Sequence, residues 1–269
     1  MHRLHLHTRA ARMLMLTIAA ALLTAPAALG TTAAPPPGTA TATTFNGTPT
    51  VGPVFVSAAS THHFCTASVV HSPRGDVLLT AAHCVAGTAA GYTFAPGFHA
   101  GVAPYGRWMV TGVYLDPTWL TSQDPRRDFA FLTVAPKLRD RRRTEIEQVT
   151  GANILGLHTR RGERVTIPAY PGGADNLPVT CEVPLYYEGV YPAFNCDPYV
   201  GGTSGAPWLV RSGSGRKVVA LIGGLHQGGC FSYTSYSPPF GAPARRAYLR
   251  AVHHAVPDVA PVAGSDGCG

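Results

Sequence analysis

Leu79-Thr80-Ala81-Ala82-His83-Cys84 sets a histidine just after a short β-rich run and directly before a cysteine. Two segments answer it downstream: Arg127-Asp128-Phe129-Ala130-Phe131-Leu132 and Gly201-Gly202-Thr203-Ser204-Gly205-Ala206-Pro207. A serine hydroxyl is a weak nucleophile at neutral pH and needs a base beside it. Imidazole can take that proton and return it to a leaving amine, because it titrates near neutrality. A buried carboxylate fixes the imidazole tautomer and stabilises the imidazolium that forms. Singly, each residue has a plainer reading: His83 as a loop histidine, Asp128 as a strand-edge acid, Ser204 as part of a glycine-rich turn. Together, in this order, they read as base, acid and nucleophile. The order excludes an α/β-hydrolase, which runs Ser, acid, His; Ala206 also stands where the nucleophile elbow needs its last glycine.

Around these segments the composition favours an all-β chain. The 269 residues carry 30 Gly and 24 Pro among short apolar runs, and 45% of them are hydrophobic. That is enough for one or two small barrels, with many turns. Runs such as Thr66-Ala67-Ser68-Val69-Val70, Val77-Leu78-Leu79-Thr80 and Phe129-Ala130-Phe131-Leu132-Thr133-Val134 form a first set of strands. Arg164-Val165-Thr166-Ile167, Trp208-Leu209-Val210 and Val218-Val219-Ala220-Leu221-Ile222 belong to a second set. Arg74-Gly75-Asp76, between two strands, reads as a hairpin turn rather than an adhesion motif. Helical spacing is found only over Ala242–Val256, carried by Tyr248, Leu249, Val252 and Val256.

Residues 1–30 read as a cleaved export signal: Arg3, Arg9 and Arg12, an apolar run over Met13–Leu23, then small residues at Ala25-Pro26-Ala27. The run is shorter than the roughly 18 to 20 residues of a membrane span, so a secreted protein with no membrane association is expected. Thr31–Thr44 is almost wholly Thr, Ala, Pro and Gly, and 31–50 reads as a linker or short propeptide. The formal charge of +7 includes three signal arginines and no signal acid. Much of the remainder lies in Lys137–Arg143 and at Arg160-Arg161, with Asp140, Glu145 and Glu147 interrupting. That run reads as a solvated loop and the seam between two halves, 51–145 and 146–269, not as a nucleic-acid surface. The six cysteines all follow the signal, and an even number in an exported chain implies disulfides whose pairing stays open. None has zinc-site spacing, no acidic loop suggests calcium, and no metal or other cofactor is expected.

The His83, Asp128 and Ser204 segments resemble trypsin-like serine peptidases of the chymotrypsin class, over about Val51–Val256, and within it the bacterial secreted branch that includes glutamyl endopeptidases. The resemblance implies two six-stranded antiparallel β-barrels with a C-terminal helix. His83 and Asp128 would lie on the first barrel and Ser204 on the second, with the active site in the cleft between. It implies a monomeric endopeptidase acting on proteins or peptides, its oxyanion hole formed by the N–H groups of Gly202 and Ser204. It also implies a Cys65–Cys84 bridge bracing His83; Cys181 with Cys196 and Cys230 with Cys268 complete the expected set.

Two positions depart from the animal-type pattern. Thr203 stands where an Asp pairs with a newly cut N-terminus, so activity without such an insertion is expected. Pro198 stands where trypsin-type enzymes carry the Asp of their specificity pocket, and Asp197 is its near neighbour; Ser235, Tyr236 and Ser237 are candidates for the same region. Gly224-Leu225-His226-Gln227-Gly228-Gly229 resembles the glutamyl endopeptidase segment in which a histidine contacts a substrate carboxylate. His226, Gly228 and Gly229 are therefore candidate substrate-binding residues, with Glu or Asp at the cleavage site. The alternative, a non-catalytic binding protein on the same scaffold, is disfavoured by the complete triad.

Overall fold

The computed structural model describes residues 33–213 and 215–268; the expected leader lies outside the described residues. Two short strands come first, β1 (Ala40–Thr41) and β2 (Thr43–Thr44). Six more follow: β3 (Val51–Phe55), β4 (His63–Val70), β5 (Val77–Thr80), β6 (Thr93–Phe94), β7 (Trp108–Leu115) and β8 (Ala130–Val134). These six close into an antiparallel barrel in the order β3-β4-β5-β8-β7-β6. Every residue of β5 and β8 is buried, so both strand faces are covered. One face fills the barrel; the other meets the rest of the chain, and Leu209, Val218 and Leu221 share a hydrophobic cluster with Leu79, Trp108 and Phe131. Such strands read as continuous apolar runs rather than alternating ones.

The basic seam is a hairpin with mostly exposed residues. Strands β9 (Lys137–Arg139) and β10 (Arg142–Thr144) pair around Asp140 and Arg141, both left-handed. Helix α1 (Pro117–Ser122) precedes β8, and helix α2 (Ile146–Thr150) follows the hairpin with a capping box between Glu145 and Gln148.

The second half contains β11 (Ile154–Leu155), β12 (Arg164–Thr166), β13 (Val179–Thr180), β14 (Glu182–Pro184), β15 (Tyr186–Glu188), β16 (Tyr191–Asp197), β17 (Pro207–Ser212), β18 (Gly215–Leu221) and β19 (Thr234–Tyr236). One sheet runs β11-β18-β17-β12-β14, and a second joins β15 and β19 to β16. Val165 and Trp208 from the first share a core with Phe194 and Cys196 from the second. The closed six-stranded ring is therefore a property of the first half; the ladders of the second half form separate sheets around one core.

Two segments differ from their sequence reading. Residues 40–44 are not a free linker: β1 lies parallel to β16 and β2 antiparallel to β13, with Ala42 N–H on Asp197 O at 2.7 Å. Backbone pairing needs no apolar pattern, so a Thr/Ala/Pro/Gly stretch can be ordered by its neighbours' unpaired groups. Helix α3 (Gly241–Val252) buries Ala244, Ala247 and Ala251, whereas Val256 lies beyond its end and is exposed. The small face lets α3 approach the first barrel closely; Phe240 meets Phe129 edge to face, and the Tyr248 hydroxyl donates to His71 O. Past α3 the tail returns over the first barrel: Arg250 binds Asp258, which also accepts Leu115 N–H, and Ala260 pairs with Gly87. No helix among the described residues is long and apolar enough to cross a membrane.

Candidate active site

His83 sits in a single 3₁₀ turn, Ala82–Cys84, at the end of β5, and the Cys65–Cys84 disulfide ties that turn to β4. Asp128 ends a second such turn, Pro125–Arg127, which Asp124 opens by accepting Arg126 N–H. Asp128 is fully buried, and a buried carboxylate must be compensated by donors. It has three: His83 Nδ1 at 2.7 Å, His83 N–H at 2.9 Å and Gly224 N–H at 2.7 Å. The backbone bond to His83 and the ring bond fix the imidazole's orientation and assign the Nδ1–H tautomer, leaving Nε2 as the free nitrogen.

Ser204 lies in the loop before β17, and this loop is fastened to the first barrel through Thr66 of β4. Thr66 Oγ1 donates to Gly202 O at 3.0 Å and accepts Tyr170 N–H; Thr66 N–H donates to Ser204 O at 2.8 Å. Thr80 Oγ1 in turn donates to Thr66 O. Glycine is required twice here. At Gly202 (φ +95°) a Cβ would stand 2.1 Å from Gly172 N, and at Gly205 (φ +82°) 2.1 Å from Thr66 O. Thr203 is buried and its hydroxyl donates to Val200 O at 2.7 Å, so the residue before Ser204 is held without an ion pair. Among the described residues, no hydrogen bond occupies the N–H of Gly202 or of Ser204.

His83 and Ser204 line one cavity of about 360 Å³, together with His226, Gly228 and Gly229. Ser235 also lines it; Tyr236 and Ser237 do not. Ser237 is spent on structure, accepting Leu221 N–H and donating to Pro238 O. Asp197 is outside the cavity lining, and its carboxylate accepts Ser232 Oγ at 2.6 Å. Phe231, half exposed on the cavity wall, stacks on Tyr233 at 5.2 Å.

The wall carrying His226 has an unusual backbone. His226 (φ 52°, ψ 36°) and Gln227 (φ 51°, ψ 29°) are consecutive non-glycine residues in the left-handed region. Each such residue costs roughly 1–2 kcal/mol, so neighbouring contacts must hold it. His226 Nδ1 lies 2.9 Å from Asp266 O, and Gln227 Nε2 donates to Gly264 O at 2.7 Å. The Cys230–Cys268 disulfide closes the same region, and Cys181–Cys196 joins β16 to the residue between β13 and β14. The groupings with metal-ligand closeness among the described residues are Cys65–His83–Cys84 and His226–Cys230–Cys268. In both, the sulfurs are committed to disulfides, which removes their thiolate character.

Sequence reasoning missed Thr66 and the tail residues Gly264 and Asp266. Thr66 looks like any strand threonine, and the tail acts through backbone carbonyls that leave no pattern. Cys268 was the one signal that the C-terminus returns to this site.

The comparisons with known proteins agree with this architecture. The chain resembles protease Anisep from Arthrobacter nicotinovorans (TM-score 0.64, 23% identity, 78% of this chain and 98% of that one). It resembles the thermostable serine protease AL20 from an extremophilic microorganism (0.61, 25%, 77% and 98%) and a Glu endopeptidase (0.62, 18%, 80% and 98%). The likenesses below 25% identity speak for the fold alone. No curated protein matches the chain by sequence. The profile of the trypsin-like peptidase domain matches residues 65–221, more than half of the chain, from the cysteine that braces His83 to the end of β18. The chain therefore belongs to the trypsin-like peptidase family and is a serine-type endopeptidase.

Proposed function

We propose that this is a secreted endopeptidase in which Ser204 is the nucleophile, His83 the general base and acid, and Asp128 the carboxylate that orients His83. The observation that carries this reading is Asp128, fully buried and bonded to His83 Nδ1, while His83 shares its cavity with Ser204. With Nδ1–H held by Asp128, Nε2 is the atom that accepts the Ser204 proton as Oγ attacks the scissile carbonyl carbon. The N–H groups of Gly202 and Ser204 donate to the carbonyl oxygen as it gains negative charge. One such donor contributes on the order of 3 to 4 kcal/mol to the transition state. The imidazolium passes its proton to the departing amine, leaving an acyl ester on Ser204. Water, deprotonated by His83, attacks that ester and frees the second product.

Secretion is supported by the composition of residues 1–30 and by the absence of free cysteines among the described residues. A preference for Glu or Asp at the cleavage site is supported by His226 on the cavity wall. Its Nδ1–H is directed to Asp266 O, so Nε2 reaches a substrate carboxylate as a donor when the ring is protonated. His226→Ala should then lower turnover of Glu peptides more than that of Gln peptides; equal loss on both would sink the acidic preference. Peptide-library cleavage tests the whole reading: Ser204→Ala should lower turnover on the order of 10^5-fold or more. Retained hydrolysis in that variant would sink it.

A further inference from the structure

We propose that the C-terminal segment Gly264–Cys268 is a specificity-determining wall of the substrate cavity, which sets the shape of the His226–Gln227 turn against an incoming peptide. This rests on the reading of the Ser204–His83 cavity as the substrate site.

Both left-handed residues of this turn have their side chains held by the tail, His226 through Asp266 O and Gln227 through Gly264 O. Asp266 itself lines the cavity shared by His83 and Ser204. A second cavity of about 610 Å³ is lined by the same His226, Gln227 and Asp266, and also by Gly264 and Ser265. The tail is therefore part of the wall of both hollows.

It is also firmly anchored. Ala260 exchanges two backbone bonds with Gly87. Gln123, at the end of α1, donates to Val262 O at 2.9 Å and accepts Gly264 N–H at 2.7 Å. The Cys230–Cys268 bridge fixes the far end beside the turn it supports. A strap fastened at both ends restricts the turn more than either hydrogen bond alone would.

The effect belongs to substrate fit rather than to the chemical step. Gly223 and Gly224, which precede the turn, are held independently by Tyr236 O and by the Asp128 carboxylate. Loosening the tail leaves the Asp128–His83 pair in place and releases His226 and Gln227. Selectivity among peptides and KM should change while kcat on a small activated ester stays near the native value.

The test compares the full chain with Cys230→Ser/Cys268→Ser and with Gln123→Gly, the latter keeping the disulfide and tolerating Gln123's left-handed backbone. Turnover is measured on peptides differing only in Glu, Gln, Phe or Lys at the cleavage site, and active sites are counted with a fluorophosphonate. The expected result is full labelling, KM raised about 5- to 10-fold, and the spread of kcat/KM among peptides compressed by about 10-fold in the double variant, less in Gln123→Gly. An unchanged spread in both variants overturns the proposal. So does a fall in KM for every peptide, which would make the tail a plug. Failure of the native chain to take the label would overturn the underlying reading of the cavity, and this inference with it.

Discussion

Thr66 connects the two halves at the scale of single atoms: one threonine binds the carbonyls of Gly202 and Ser204 and the N–H of Tyr170. Thr66→Val keeps the shape and removes the hydroxyl, leaving Gly202 O and Tyr170 N–H without partners. The expected cost is about 1–3 kcal/mol of stability. The loop carrying Gly202 and Ser204 is then aimed less well, so kcat should fall about 10- to 100-fold with KM nearly unchanged. Steady-state kinetics with a melting curve checks both. Asp128→Asn keeps the volume but favours the wrong tautomer of His83, and kcat should drop on the order of 10^4-fold near neutral pH. The grouping of His83 with Asp128 and Ser204 was legible because each lies in a segment whose residue types suit the proposed chemistry. Thr66 was not, since a buried threonine in a strand has the same pattern whether or not it bonds across a domain seam.

Among the elements, β4 begins with a histidine that its strand buries without polar company. His63 is 2% exposed, neither ring nitrogen has a partner, and Phe55, Phe98 and Tyr170 meet it edge to face. Burial first, then the positive charge of His62 and Arg107, lowers its pKa to about 4. The unfolded chain therefore binds this proton more readily than the folded one. Stability is full above the ordinary histidine value near pH 6.5 and falls as pH drops toward 4, by up to about 3 kcal/mol. His63→Phe should flatten the decline in melting temperature between pH 7 and 4.5; an equally steep decline would place the acid sensitivity elsewhere. Strands β4, β5 and β8 were readable as apolar runs, whereas β1 and β2 were not, because their order comes from the edges of β16 and β13. Helix α3 was found from its spacing, but its closest contacts were not: Ala244, Ala247 and Ala251 are buried beside Tyr248, which meets Phe131 edge to face, while Val256 lies beyond the helix.

Over the whole molecule, the chain crosses between its halves at both ends. Residues 40–44 lie on the second half, and the tail after α3 crosses the first half before Cys268 returns to Cys230. Thr203 is held by Val200 O, and the expectation is activity without insertion of a new N-terminus. A chain beginning at Ala33 should be active as purified, and deleting 33–44 should lower its melting temperature by several degrees without raising activity. Activity that emerges only on such trimming would show those residues to be inhibitory. Bulk composition pointed to the all-β class, and the motifs to the chymotrypsin-like arrangement. The strap over the cavity was invisible, because carbonyl groups of Gly264 and Asp266 carry it. The central claim is that Ser204 is the nucleophile activated by His83 and Asp128. The most direct measurement is peptide mapping by mass spectrometry after reaction with a fluorophosphonate. A single adduct on Ser204, absent from Ser204→Ala and formed far more slowly in Asp128→Asn, is the result predicted. An adduct on another residue, or peptide hydrolysis that persists in Ser204→Ala, would contradict the account.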